Sequence, residues 1–287
     1  MSKGKNQLVI VPYSVIVDAA RAAKDSKAIG VYYTIMKNAK LEDETNYHIA
    51  DVSLNDLLDG IGLVPKRGKG RSIDKVISAI YSLAESGVLI DYPDYQAMDR
   101  KPLKKKYLYR INIADKRYSS YRSAVVTDYE FALLKQNTGR GVHIEVDKDG
   151  IKRDDLENEM TVANMGYGVS FDNVLRILCL IRSCIPKEGM GLPQAITMTR
   201  AYMNEHTGIN IDTVGDAVRV LKALHIIEVE WYTFTNHSGK AYRRTFFANN
   251  WESQNNKKAT KDGAERGHAE IEKAVDIYRK CKAITFG

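Results

Sequence analysis

The chain has 287 residues, 44% of them hydrophobic, which is enough for two ordinary domains with packed cores. Its formal net charge of +7 favours a polyanionic partner, and where that charge sits matters more than its sum. No apolar run is long enough to span a bilayer, and Cys179, Cys184 and Cys281 have neither zinc-knuckle nor redox spacing; the expectation is buried free thiols, a cytoplasmic location and no membrane partner.

Residues 8–20 are apolar but broken by Pro12 and Asp18, so they read as an opening strand or helix rather than a signal peptide. Residues 26–41 carry apolar side chains at 28, 29, 32, 35, 36 and 39, a helical period. In 52–63, Ser53 stands where a cap is needed, with Leu54, Leu57, Leu58 and Ile61 on one face. A turn at 65–71 precedes a helix capped by Ser72, whose buried face is Ile73, Val76, Ile77, Ile80, Leu83 and Ala84. Gly87 stops that helix. A strand at 88–92, a loop at 93–106 and an alternating strand at 107–113 complete a first domain, 1–113.

Residues 114–168 lose the pattern and read as a connector, with one hairpin at 142–146 turning at Asp149-Gly150. The second domain, 169–252, has helices over 171–185, 193–206 and 210–225. Strands at 226–232 and 241–248 then flank a turn rich in Asn, Ser and Gly. Residues 253–287 are a polar linker and a terminal helix. With Ile271, Val275 and Tyr278 on one side, that helix docks on its own domain or on a second copy, making a homodimer.

The two domains contain the same segment. Ile73-Asp74-x-Val76-x-x-Ala79-Ile80-x-x-Leu83 aligns without a gap to Ile211-Asp212-x-Val214-x-x-Ala217-Val218-x-x-Leu221, and each copy runs into a short apolar strand. Helix, helix, helix and a two-stranded wing is the order of a winged helix-turn-helix unit, so the expected fold is mainly α with small β wings, twice over. In such a unit the third helix enters the major groove, N-terminus forward.

In the first domain that N-terminus is preceded by Lys66, Arg67, Lys69 and Arg71, four cations in six residues, where unpaired amides already favour phosphate. Ser72, Lys75, Ser78 and Ser82 form the outward face of the helix, with Lys suited to guanine acceptors and Ser to several partners. Arg100, Lys101, Lys104, Lys105 and Lys106 lie on the wing and converge on the same helix. The second domain offers Asn210, Thr213 and Arg219, with Asp216 and Val220 also outward and the aspartate not expected to be offset by a neighbouring cation. Its wing adds His237, Lys240, Arg243 and Arg244. Tyr107, Tyr109, Tyr118 and Tyr121 interleave with cations but read as packing residues of half-buried strands.

No phosphate-binding Gly-x-x-x-x-Gly-Lys-Ser/Thr loop, no His-Glu-x-x-His and no Gly-x-Ser-x-Gly elbow occurs, so neither an enzyme nor a cofactor is expected. The arrangement resembles the tandem winged-helix replication initiators of plasmids and phages. That resemblance rests on architecture over residues 8 to 250. It implies binding to repeated duplex DNA sites at an origin, melting assisted by host replication proteins, and repression of the initiator's own promoter. A transcriptional regulator of a mobile element and a winged-helix protein adaptor are the other readings.

Overall fold

A computed structural model describes residues 8–19, 27–42, 45, 47–112, 123–138, 169–236, 238–250, 252 and 261–284. The chain divides into two compact units, Met1–Val125 and Val126–Gly287. Both mix helices with small antiparallel sheets.

The first unit is built around α1 (Ala28–Lys37). Ala28, Ile29, Val31, Tyr32, Tyr33 and Ile35 are all buried, and a helix apolar on every side belongs at the centre of a core. Against it pack β1 (Leu8–Pro12), a π-helical segment (Val15–Ala19), β3 (His48–Ser53), α2 (Leu54–Gly60) and α3 (Ser72–Glu85). The Tyr32 hydroxyl donates to the Ile10 carbonyl at 3.1 Å, fastening β1 to this helix. Ser53 caps α2 as expected: its hydroxyl oxygen accepts the Asp56 amide, and the Asp56 carboxylate accepts the Ser53 amide. That backbone amide is the main reason the Asp56 carboxyl titrates below the ordinary aspartate range.

One sheet runs β2 (Lys40–Leu41), β3, β5 (Lys106–Ile111), β4 (Leu89–Asp91), all antiparallel. The sequence reading missed β2 and β3, because a short strand ending directly in a helix cap has too few residues to show a period. A separate two-stranded sheet joins β1 to β6 (Ser123–Thr127).

The stretch read as a connector is ordered structure where it is described. Thr127 caps α4 (Asp128–Gln136) in a reciprocal box with Glu130. Glu130 is fully buried and accepts both terminal nitrogens of Arg182 at 2.6 Å, while Arg182 Nε donates to Asn249. Residues 126–138 therefore belong to the second unit. The hairpin expected at 142–150 lies outside the described residues.

In the second unit α5 (Phe171–Cys184) is buried nearly all round, and α6 (Arg200–Thr207), α7 (Ile211–Ala223) and α4 pack on it or beside it. The helix expected over 193–206 begins only at Arg200, capped by Thr199. Ahead of it β7 (Ala195–Thr197) pairs with β9 (Ala241–Asn249), which pairs with β8 (Ile227–Thr235). Tertiary pairing with β9 overrides the apparent continuity of the helix.

The terminal helix is longer than expected. α8 (Lys261–Ile284) starts inside the stretch read as a linker and docks on its own unit's sheet, burying Ile271 and Val275 against Ala195, Phe246 and Ala248. Gly267 permits the approach, since a Cβ there would stand 2.6 Å from Glu228 Cγ and 3.0 Å from the Asn249 carbonyl. Of the cysteines only Cys179 is buried, and burial pushes its thiol up to about 12; Cys184 is half-buried and Cys281 exposed, contrary to the expectation for all three. Among the described residues no helix is long and apolar enough to cross a membrane.

Candidate nucleic-acid interface

Residues 64–71 form a folded turn in front of α3. The Ser72 hydroxyl donates to the Val64 carbonyl at 2.6 Å, and its oxygen accepts the Lys66 amide at 2.8 Å. Arg71 N–H closes on the Gly68 carbonyl, and the Gly70 amide donates to the Asp74 carboxylate. Ser72 is thus not the cap expected of it. The cap position is Arg71, without a side-chain bond, and Ser72 is spent on tying the turn to the helix. Lys66, Arg67, Lys69 and Arg71 all remain exposed on this turn.

The second basic segment meets the first. Arg67 Nη2 donates to the Lys101 carbonyl at 3.3 Å across 34 positions of sequence. The loop between β4 and β5 is held at three further points. The Tyr81 hydroxyl on α3 donates to Asp94 at 2.9 Å and accepts the Gln96 amide; the Asn55 amide at the start of α2 donates to the Leu103 carbonyl; and the buried Tyr95 and Tyr109 hydroxyls lie 2.8 Å apart. Its hydrogen bond from Tyr81 is the main reason Asp94 titrates below the usual carboxylate range, whereas burial raises Tyr95 to about 12. Arg100, Lys104, Lys105 and Lys106 are exposed and Lys101 half-buried, with the Lys105 ammonium 5.0 Å from the Tyr107 ring centre.

On α3 itself Ser78 is exposed and Lys75 half-buried, so both lie on the open side of the helix. Ser82 does not: it is buried and donates to the Ser78 carbonyl, the back-bond a hydroxyl makes when its helix face turns inward. The structure therefore joins the two basic segments at Arg67 and Lys101 beside α3, whereas Lys106, the first residue of β5, lies opposite Ser53 at the start of α2.

The second unit differs. Asn210 caps α7, its side-chain oxygen accepting the Asp212 amide at 2.9 Å, and Thr213 is half-buried. Arg219 pairs with Asp216 at 2.9 Å, so the aspartate is neutralised on its own helix, contrary to the expectation. Val220 is buried rather than outward. On the hairpin, strand alternation splits Arg243 from Arg244. Arg243 is exposed on the side of Trp231, while Arg244 lies over Tyr242 on the side of α8, which removes it from the open face. Lys240 is exposed in the turn; His237 lies outside the described residues.

Arg200 was missed. It is exposed at the first turn of α6, and its guanidinium packs over α7 at Gly215, where a Cβ would come within 3.0 Å. Thr199, a good capping residue directly before it, was the available signal. Among the described residues no group of three or more His, Cys, Asp or Glu side chains is placed to hold a metal ion. Compared with known protein families, curated proteins and solved structures, the chain gives no match in any of the three.

Proposed function

We propose that the chain is a sequence-specific double-stranded-DNA-binding protein made of two winged helix-turn-helix units, with α3 and α7 as their third helices. The observation that carries the reading is the contact from Arg67 to Lys101. It joins two basic segments into one surface flanking the N-terminal half of α3. A cationic turn before a helix and a cationic loop beside it suit the two phosphate backbones that border a major groove, while Ser78 and Lys75 face the base edges between them. Helix, strand, helix, helix and hairpin recur in both units, which supports the tandem reading.

The narrower role is initiation of plasmid or phage replication at repeated origin sites, with host replication proteins as further partners. It rests on that tandem order alone. The test is titration of duplex DNA at several salt concentrations, followed by sequencing of fragments the protein selects. Each neutralised phosphate adds about −0.9 to the log–log slope, so a steep salt dependence is expected, together with uniform weakening when Lys66, Arg67, Lys69 and Arg71 are all replaced by Ala. A flat salt response overturns the DNA reading. Selected fragments without repeated sites overturn the initiator role.

A further inference from the structure

We propose that the hairpin of the second unit carries a stacking site for an unpaired base of single-stranded DNA, built on Trp231. Ligand and place both differ from the duplex surface of the first unit, so the two readings stand or fall separately.

The alternation of β8 sorts its side chains into two unlike faces. Glu228, Glu230, Tyr232 and Phe234 turn towards α8, where the two carboxylates meet His268 and the two rings pack on Tyr278 and Phe246. Trp231, Thr233 and Thr235 turn the other way, opposite Thr245, Arg243 and Ala241. That second face holds hydroxyls, a cation and an indole, and β8 and β9 contribute no carboxylate to it. Trp231 is 38% exposed there, a large apolar ring left in water.

Cations from two elements lie over the ring. Lys222 at the end of α7 places its ammonium 4.8 Å from the indole centre, and the Arg243 guanidinium lies 5.6 Å from it. An exposed aromatic ring beside cations is the arrangement with which proteins bind single strands. A base takes the place of a cation over the ring, the displaced cation and its neighbour meet the phosphates either side of it, and any base serves because each has a π-face. A duplex has no free base face to offer, and this separates the proposed ligand from the duplex bound by α3.

The test uses the full chain with Trp251→Phe, which leaves Trp231 as the sole tryptophan of the two in the sequence. Oligothymidylate should quench its fluorescence to saturation, and a duplex of equal length should not. In the otherwise native chain Trp231→Ala should weaken oligothymidylate binding about 5- to 150-fold, as loss of one base stack does, with duplex affinity unchanged; Trp231→Phe should restore part of the loss. No quenching, equal quenching by duplex, or unchanged single-strand affinity in Trp231→Ala overturns the proposal. If Trp231→Ala does not fold, as judged by circular dichroism, the quenching result alone decides. Quenching by oligothymidylate in a protein that binds no duplex would sustain this site and overturn the duplex reading instead.

Discussion

Gly87 and His225 occupy the same place in the two repeats, just after α3 and α7, and both take left-handed backbone, with φ of 75° and 51°. The turn into the following strand demands that conformation, and only glycine adopts it without strain. The shared φ gives the histidine a structural role, since it holds in the second repeat the turn that glycine holds in the first. Gly87→Ala should cost about 1–2 kcal/mol of stability, read from the urea midpoint; an unchanged midpoint would mean the turn relaxes. His225 and His48 share a second property, since burial holds both imidazoles below the ordinary value of 6.5. A depressed imidazole binds its proton more weakly when folded, so stability is whole above pH 6.5 and falls as pH drops through it. Urea midpoints at pH 7.5 and 5.5 should show that loss, and His48→Gln should lessen it. A native chain no less stable at the lower pH would contradict the sign.

At the scale of elements, the pair Glu130–Arg182 decides where α4 belongs. A carboxylate and a guanidinium, each almost wholly out of water, lie in bidentate contact between α4 and α5, and Arg182 reaches on to β9. Removing one partner of a buried pair leaves the other charge without compensation, at about 3–5 kcal/mol. Glu130→Ala should therefore lower the melting temperature of the second unit sharply, whereas Glu130→Ala unfolding at the native temperature would remove this pair from the account. In sequence, residues 128–136 give little helical period, since the buried positions of the helix are Glu130, Phe131 and Leu134, and the residue that anchors it is charged. Hydropathy cannot announce a helix held by a buried ion pair. It did announce α1, α3, α5 and α7, whose apolar faces are long and regular, and the caps at Ser53 and Gly87, whose chemistry is local.

For the whole molecule, the two units carry their charge differently. Exposed cations lie on two segments that meet beside α3 at Arg67 and Lys101, whereas α7 pairs Arg219 with Asp216 and leaves its open cations to Arg200 and the hairpin. Expressed separately, residues 1–125 should bind random duplex more tightly than residues 126–287 at matched salt, and the reverse order would refute this division of charge. The fragment boundary follows the structure, because a second fragment begun at 165 would lose Glu130 and leave Arg182 buried without its carboxylate. The sequence by itself determined the repeat, the core helices and the basic residues before and after α3, because periodicity, capping and charge are local and survive in one dimension. Only the tertiary structure decided that Arg67 meets Lys101, that Ser82, Val220 and Arg244 turn away from the open faces, that Asp216 is neutralised, and that α4 and α8 complete the second unit. Each of these depends on which face a neighbouring element covers, and that is set by packing between segments far apart in the chain.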